Sequence, residues 1–385
     1  MKIDDKTSHN SPSLRFPEFT GEWERCVLGD VLEFSNTRIN SSELNSGNYV
    51  STENILQNFQ GIVKARSIPE DTNVMAFSCG NILLSNIRPY LKKVWKATFN
   101  GGCSSDVFVL QANSNIDADY LHYVVANDKF IGFVMNGAKG VKMPRGDKNQ
   151  MKTYSLSLPS IKEQRKISRF LSFLDERIAV QSRLIEDLKK FKCAIVEKLY
   201  SEIQGKEYSY RQLFEIINER NSRLEYSNVL SASQEKGMVN REDLNLDIKF
   251  ELSNINTYKI VREGDYVIHL RSFQGGFAFS NMVGVCSPAY TIMRPKKLLE
   301  YGYLSYYFTS RKFIKSLIIV TYGIRDGRSI NVDEWLDMKN IIPSKEQQQH
   351  ILRTIKGFEN KIEVEEMYAS CLSKQKQYLL RQMFI

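Results

Sequence analysis

The sequence contains one unit twice, and this duplication restricts the possible folds more than any other feature. Residues 159–200 and 343–384 align without a gap at a constant offset of 184 residues. The identical pairs include Pro159/Pro343, Ser160/Ser344, Gln164/Gln348, Ile167/Ile351, Arg169/Arg353, Ile178/Ile362, Leu188/Leu372 and Lys192/Lys376. Upstream, residues 119–131 match residues 302–314 at an offset of 183. Such a period predicts two copies of a whole domain, each a globular part of about 130 residues followed by a tail of about 42.

The composition is that of an ordinary globular protein, with 42% hydrophobic and 25% charged residues, which disfavours disorder. A net charge of +9 favours a polyanionic partner without establishing one. The six cysteines form no C-x-x-C pair and the four histidines are scattered, so neither a metal site nor a disulfide framework is indicated. No secretory signal and no apolar run of about 18 residues is present. We therefore expect a cytoplasmic protein that does not contact the membrane.

Both tails have the periodicity of a coiled coil. Apolar residues recur in alternating steps of four and three over about five heptads, which predicts a long helix with an a/d seam in each tail. Ser160 and Ser344 are the expected N-caps. The seam includes Ile167, Leu171, Leu174, Ile178, Gln181 and Lys192 in the first tail, and Ile351, Ile355, Phe358, Ile362, Glu365 and Lys376 in the second. The polar residues interrupt the two seams at equivalent positions, since Gln181 aligns with Glu365 and Lys192 aligns with Lys376.

An antiparallel pairing is the simple way for the two helices to meet, because a domain lies between them in the chain. One antiparallel register places Lys192 opposite Glu365 and Gln181 opposite Lys376, which gives every polar seam residue a partner. The alternatives are a neighbouring register with better overlap, contacts to partner subunits, and long side chains that reach water from the seam. A helix of about 40 residues is ~60 Å long, so such a pair can hold two domains well apart.

The globular parts are predicted to have a mixed α/β (α+β) fold, so the whole chain forms a pseudo-twofold internal repeat. Alternating or β-rich runs predict strands at residues 107–110 and 266–270, and helical spacing predicts helices at 119–134 and 302–319. The aromatic residues of these helices recur at helical spacing. We therefore expect them in the core rather than on a base-stacking surface.

Basic charge is concentrated at matching places in the two copies, in residues 85–100, 137–152 and 311–328. Two glycine-containing segments among them, GAKGVKMPRGDK and YGIRDGR, have the composition of loops that can enter a DNA groove. Arginine can donate two hydrogen bonds to a guanine edge, whereas lysine mostly holds phosphates. For any single side chain a solvated surface charge is an equal alternative. The candidate DNA-binding residues are Arg88, Lys92, Lys93, Lys139, Lys142, Arg145, Lys148, Arg271, Gln274, Arg325, Arg328 and Ser329.

Catalytic motifs are missing from the sequence. No Pro-Pro dipeptide is available for the loop of amino-methylating enzymes, and no G-x-G turn follows a strand to hold S-adenosylmethionine. The single Gly-Lys pair is followed by Glu207, which excludes a Walker A loop. We therefore expect a chain that is not an enzyme by itself and binds no cofactor or metal.

The sequence resembles the specificity (S) subunits of type I restriction-modification systems over essentially its whole length. The resemblance rests on LRFPEFTGEW from Leu14, LGDVLEF from Leu28, GNILLSNIRPYLKKVW from Gly80 and LPSIKEQRKISRFLSFLDERI from Leu158. It implies target recognition domains at 14–158 and 205–342, and spacer helices at 159–204 and 343–385. The second domain departs from the pattern, since it lacks the FPEF and GEW motifs and has VIHLRS from Val267 in place of LLSNIRP.

The resemblance implies a non-catalytic subunit that recognises double-stranded DNA. Each recognition domain would read one half of a bipartite site, and the spacer helices would dock two methyltransferase (M) subunits. The M subunits would bind S-adenosylmethionine and methylate a flipped adenine at N6. Up to two restriction (R) subunits would add ATP- and Mg-dependent translocation and cleavage.

Three alternative functions remain open at the level of sequence. The same architecture can serve a methyltransferase complex that lacks R subunits, which copurification would reveal. A self-contained enzyme is disfavoured by the missing motifs. A coiled-coil scaffold that does not bind DNA predicts no salt-sensitive DNA binding even when M subunits are present.

Overall fold

The structure is a computed structural model that describes residues 11–233, 236–244, 252–269, 276–322 and 329–385. The chain folds into two compact units. The first unit comprises the described residues up to Gln181 together with Tyr368–Ile385, and the second comprises Ser182–Met367. Each unit thus takes one segment from each of the two tails.

The strands of the first unit form two four-stranded sheets and one pair. They are β1 (Glu24–Val27), β2 (Leu32–Phe34), β3 (Arg38–Asn40), β4 (Tyr49–Val50), β5 (Asn73–Phe77), β6 (Ile82–Ser85), β7 (Val94–Lys96), β8 (Gly101–Cys103), β9 (Val107–Ala112) and β10 (Ser155–Leu158). One sheet has the antiparallel order β2-β9-β6-β7. The other has the order β3-β5-β8-β4, in which β4 is parallel to β8. Strands β1 and β10 pair antiparallel next to the start of the first tail.

The helices of this part of the chain are α1 (Leu28–Val31), α2 (Ala118–Val125), α3 (Asp128–Asn136), α4 (Lys148–Lys152) and α5 (Ile161–Ser201). A 3₁₀ turn at Ser41–Glu43 and another at Pro89–Leu91 join strands. Helix α5 is the first tail. The backbone NH of Glu163 donates to Ser160 Oγ over 3.4 Å, which confirms the predicted N-cap.

The strands of the second unit are β11 (Lys206–Ser209), β12 (Phe214–Ile217), β13 (Leu230–Ser233), β14 (Gly237–Asn240), β15 (Lys259–Val261), β16 (Tyr266–Ile268), β17 (Phe277–Phe279), β18 (Gly284–Cys286), β19 (Thr291–Pro295), β20 (Thr321–Tyr322), β21 (Ser329–Ile330) and β22 (Lys339–Ile342). Its helices are α6 (Tyr210–Leu213), α7 (Tyr303–Tyr307), α8 (Arg311–Ser316), α9 (Val332–Asp337) and α10 (Lys345–Met383), with 3₁₀ turns at Arg241–Leu244, Leu252–Thr257 and Leu317–Val320. Helix α10 is the second tail.

The strand order of the second unit repeats that of the first. The sheet β12-β19-β16-β17 corresponds to β2-β9-β6-β7, and the pair β11-β22 corresponds to β1-β10. The pair β15-β18 corresponds to β5-β8. The duplication and the mixed α and β architecture predicted from the sequence are therefore confirmed, and the predicted strands at 107–110 and 266–270 coincide with β9 and with β16 as far as Ile268.

Each helix predicted in the globular parts is in fact divided into shorter helical segments. Residues 119–134 are divided between α2 and α3, and residues 302–319 between α7, α8 and a 3₁₀ turn. The break has a local cause, because the Asn127 side chain accepts from the NH of Lys129 and caps α3. Ser310 caps α8 in the same way, by accepting from the NH of Phe313. A side-chain cap stabilises a new helix start and thereby competes with continuation of the preceding helix.

Aromatic side chains fill the core of each unit. In the first unit, Tyr120 is fully buried and stacks on Phe384 with ring centroids 5.2 Å apart. In the second unit, Trp335 stacks on Tyr210 at 4.2 Å, and Phe313 is also fully buried. These contacts confirm that the aromatic residues at helical spacing belong to the core. Burial of such large side chains is the main stabilising term of each unit.

Helices α5 and α10 run antiparallel in each unit. The contacts that establish this direction are Asp175 with Lys376 and Arg177 with Tyr368 in the first unit, and Lys189 with Glu366, Phe191 with Phe358 and Lys192 with Glu359 in the second. In both units the residue number on α10 falls as the number on α5 rises. The predicted antiparallel pairing is therefore confirmed.

Candidate nucleic-acid interface

Two basic segments that are separate in the sequence of the first copy lie side by side in the structure. Lys139 and Arg145 exchange two backbone hydrogen bonds of 2.9 Å each. Residues 139–145 therefore form a hairpin, which we call the tip hairpin. The backbone NH of Arg88 donates to the carbonyl oxygen of Pro144 over 2.8 Å, so this hairpin is docked on the loop that follows β6.

The loop beneath the tip hairpin has an unusual backbone. Arg88 and Lys92 flank the 3₁₀ turn at Pro89–Leu91, and both have left-handed conformations with φ of 50° and 54°. This conformation costs a non-glycine residue about 1–2 kcal/mol, and such strain is concentrated at functional sites. The Nε atom of Arg88 is also buried and has no hydrogen-bond partner among the described residues. These two features distinguish Arg88 from an ordinary surface cation.

Most of the other predicted cations of the first unit bind groups of their own unit. Arg145 pairs with Asp106 at 3.0 Å, Lys139 with Asp147 at 2.8 Å and Lys92 with Asp128 at 2.7 Å. The Lys93 ammonium donates to the carbonyl oxygen of Thr52. Lys148 lies over the rings of Phe34 and Phe108, with its Nζ atom 5.5 and 5.2 Å from the two centroids. Lys142 differs from these cations, because it is exposed and its side chain meets no partner in the described part of the chain.

Two environments change the acid–base behaviour of these groups. The hydrogen bond between Lys139 and Asp147 raises the pKa of the lysine and lowers the pKa of the carboxyl group. Burial lowers the pKa of Lys93, since desolvation disfavours the charged ammonium. Lys93 is half-buried and bound to the carbonyl oxygen of Thr52, so it contributes to packing within its own unit.

The second unit has an antiparallel strand pair at the corresponding place. Strands β20 and β21 pair antiparallel between α8 and α9, whereas the tip hairpin lies between α3 and α4. Ser329 is exposed at the start of β21. Four predicted DNA-binding residues, Arg271, Gln274, Arg325 and Arg328, lie outside the described residues, and their assignment stays a prediction.

The predicted seam positions of both tails face inward to different extents. Ile167, Leu171, Gln181, Ile351, Ile355 and Ile362 are buried, and Leu174, Ile178, Lys192, Phe358, Glu365 and Lys376 are half-buried. Gln181 is the notable member, because an uncharged amide is buried in a run of apolar positions. Glu365 forms an ion pair with Lys361 at 2.5 Å on the same helix.

The two seam lysines occupy equivalent clusters, each with a tyrosine and a carboxylate. In the first unit, Asp175 accepts from Lys376 and, over 2.8 Å, from the hydroxyl of Tyr123. In the second unit, Glu359 accepts from Lys192 over 3.2 Å and from the hydroxyl of Tyr306 over 2.7 Å. We call these clusters the two triads. Corresponding members are 183 or 184 residues apart in the sequence, so the triad belongs to the duplicated unit.

The triads correct the predicted register of the helix pair. Lys192 pairs with Glu359 rather than with Glu365, and Lys376 pairs with Asp175 rather than with Gln181. Both partners lie six residues before the predicted ones. The physical reason is the third member of each triad, because a tyrosine from the globular part holds the carboxylate at the position where the lysine meets it. Burial next to these carboxylates raises the pKa of both tyrosines, so each hydroxyl remains a donor.

A buried glutamine joins each tail to its globular part, and its role was not predicted. The Gln164 side chain accepts from the NH of Asp117 over 2.8 Å and donates to the carbonyl oxygen of Pro159 over 2.9 Å. Gln348 accepts from the NH of Glu300 over 2.8 Å and donates to two carbonyl groups. Their identity in the repeat was visible in the sequence. The partners on the globular parts were not, because these lie about 50 residues away.

The described residues offer neither a metal site nor a membrane span. Among them, no group of three or more His, Cys, Asp or Glu side chains is placed to hold a metal ion. No helix in the described ranges is long and apolar enough to cross a membrane.

The chain is similar in sequence to known proteins of one kind. Residues 20–190 match the family model described as "Type I restriction modification DNA specificity domain". The specificity subunit of the type I restriction enzyme EcoDI from Escherichia coli is 33% identical over 93 residues, which cover 24% of this chain and 20% of that subunit. The MjaVIII specificity subunit from Methanocaldococcus jannaschii is 23% identical over 411 residues, covering 95% of this chain and 92% of that subunit.

Solved structures share the fold. A chain from a structure titled for complex assembly and conformational transition of the type I R-M system aligns with a TM-score of 0.61 at 16% identity, over 93% of this chain and 96% of the other. A type I restriction-modification S subunit from M. genitalium aligns with a TM-score of 0.53 at 14% identity, over 97% and 99% of the two chains. The resemblance stated from the sequence motifs is therefore confirmed.

Proposed function

We propose that this chain is the DNA-recognition subunit of a type I restriction-modification complex. It is similar in sequence to specificity subunits of that type and shares the fold of solved type I structures. One observation carries the proposal beyond the family resemblance. Both units have a paired β segment at the same place in the fold, between equivalent helices, and in the first unit this segment, the tip hairpin, is docked on a second basic loop. Two such readers in one chain suit a duplex site with two half-sites.

The role of this chain in the complex is recognition rather than catalysis. M subunits would supply S-adenosylmethionine and the transfer of a methyl group to adenine N6, and R subunits would supply ATP- and Mg-dependent cleavage. Two M subunits and up to two R subunits are the expected partners. Incubation of the isolated chain with duplex DNA, S-adenosylmethionine and magnesium is expected to give no methylated and no cleaved product. Product formation would support a self-contained enzyme.

The deciding experiment is methylome sequencing of cells that express this chain with a matching M subunit. A bipartite motif with N6-methyladenine is the expected result, and Arg88→Ala should relax or abolish one half of that motif only. Equal weakening at all sequences would assign Arg88 to a phosphate contact. No motif, together with salt-insensitive or absent DNA binding of the assembled complex, would favour a coiled-coil scaffold.

Copurification distinguishes a restriction complex from one that only methylates. Within each unit, a triad and the buried seam hold the two helical segments together, which supports the proposal that other subunits attach to the paired helices. If R subunits copurify with this chain and its M subunits, the complex restricts DNA. If only M subunits do, the chain serves a methyltransferase.

A further inference from the structure

The tip hairpin carries exposed apolar side chains that the fold of this chain does not use. Val141 is fully exposed and Met143 is 45% exposed, and Lys142 lies between them. Gly140 has a φ of +96°, which lets the chain turn at the start of this run. Single exposed apolar residues are common on protein surfaces. Here, two exposed apolar residues flank a lysine that meets none of the described residues, and all three lie at the turn of a docked hairpin. This arrangement is more specific than a single exposed apolar residue.

Ion pairs and a backbone hydrogen bond fix the base of the tip hairpin to the rest of the unit. Lys139 pairs with Asp147, and Arg145 pairs with Asp106. The NH of Gly146 also donates to the carbonyl oxygen of Asn86 over 3.2 Å. The two basal cations thus act as braces within the unit. The side chains that project beyond these braces are Val141, Lys142 and Met143.

The charge of the surroundings indicates what the tip contacts. Residues 137–152 contain five basic residues and one acidic residue, Asp147. Arg88, whose Nε atom has no partner among the described residues, lies directly beneath the hairpin. Lys142 stands exposed between Val141 and Met143, and Arg88 lies beneath the hairpin, so apolar side chains and cations that have no ion-pair partner among the described residues occur together here. This combination matches the chemistry of duplex DNA, where charged phosphates flank the apolar faces of stacked bases. DNA-bending proteins insert such apolar side chains between base steps.

We infer that Val141 and Met143 form a wedge that enters one half-site and partly unstacks a base step, while Lys142 binds a neighbouring phosphate. This inference rests on the proposed function and adds a second means of sequence selection. A wedge selects steps that unstack easily, such as pyrimidine–purine steps, without a hydrogen bond to any base. The duplex is bent at the half-site that the first unit reads.

The test uses the complete chain assembled with its M subunits, and a duplex that carries the bipartite site with a fluorophore at each end. The double variant Val141→Ser/Met143→Ser is expected to lose at least about tenfold in specific affinity and to reduce the bend measured by energy transfer. Lys142→Gln is expected to keep the bend. It should reduce the slope of log affinity against log salt concentration by about one, because one phosphate contact is lost. Val63→Ser is the control, because Val63 is an apolar residue of the same unit that is 47% exposed.

The opposite change provides an independent measurement. Val141→Trp enlarges the wedge and is expected to increase the bend. If the serine double variant binds and bends DNA as the unchanged chain does, or if Val141→Trp leaves the bend unaltered, the wedge is overturned while the proposed function stands. If the unchanged complex itself shows no preference for any sequence, the proposed function fails first. If the serine variant binds the wild-type site normally but a protein partner is lost, the tip is a protein contact and the wedge is also overturned.

Discussion

The triad of the first unit should couple Lys376 to Asp175 more strongly than a surface ion pair couples its members. Exposed pairs are worth about 0.2–1 kcal/mol, and removal of one partner from a fully buried pair costs about 3–5 kcal/mol. The Lys376 side chain is 15% exposed and that of Asp175 is 36% exposed, so this pair lies between the two limits. Asp175 also keeps its hydrogen bond from Tyr123 when the lysine is removed. We therefore expect a coupling free energy of about 1–2 kcal/mol.

A double-mutant cycle with Lys376→Met and Asp175→Asn measures this coupling. Methionine keeps the apolar stem of the lysine in the seam, and asparagine keeps an acceptor for the tyrosine. The chain has two units and need not unfold in one step. The assay is therefore hydrogen exchange followed by mass spectrometry on peptides from α2 and from residues 368–383, which reports the local free energy of opening in the first unit.

The matched control is the pair formed by Lys190 and Glu186 on α5. Both side chains are 67% exposed and lie one helical turn apart, so Lys190→Met and Glu186→Gln should couple by only about 0.3–0.5 kcal/mol. A coupling between Lys376 and Asp175 no larger than this control value would refute the reasoning. It would show that the triad contributes no more than a surface contact and does not hold the register.

Three further predictions concern the core, the acid stability and the spacer. Gln164→Leu leaves the NH of Asp117 and the carbonyl oxygen of Pro159 without their partner, and should lower the local free energy of opening of the first unit, measured by hydrogen exchange, by about 2–3 kcal/mol. A loss below about 0.5 kcal/mol would contradict this role. Burial lowers the pKa of His122 to about 4, so the unfolded chain takes up the proton first and stability should fall as the pH drops from about 6.5 to about 4. His122→Phe should flatten this dependence of the unfolding midpoint on pH, and an equal slope in both proteins would contradict the assignment. One added heptad in both α5 and α10 lengthens each helix by about 10 Å. This should add about 3 base pairs to the stretch of unspecified sequence between the two halves of the methylome motif. If the length of that stretch is unchanged, the helices do not determine it.

Much of the architecture follows from the sequence, since it depends on periodicity. The alternation of apolar steps of four and three gives both long helices, and their starts at Ile161 and Lys345 follow directly after the predicted caps. The repeat offset gives the equivalence of the two sheets. The break between α2 and α3 could not be read in this way, because the apolar pattern continues through it and a single capping side chain, Asn127, decides it.

The candidate site is predicted less completely than the fold. The sequence identifies where basic residues cluster, but a cation in a basic loop looks the same whether it faces solvent or an internal carboxylate. Arg145 and Lys139 meet Asp106 and Asp147, whereas Lys142 meets none of the described residues. Only the spatial arrangement distinguishes a brace from a side chain that is available to DNA.

The sequence alone determines that this protein is a duplicated chain of two α/β units with two helical tails, because identity at a fixed offset and a heptad seam require no knowledge of distant contacts. The tertiary structure decides the register of those tails. A heptad seam is compatible with more than one antiparallel register, and in the observed one Tyr123 and Tyr306 of the globular parts hold the carboxylates that the seam lysines meet. Each fixes a carboxylate in space, and a lysine from the other tail must then meet it. A contact among three segments distant in the chain is set by folding in three dimensions and leaves no periodic signal in the sequence.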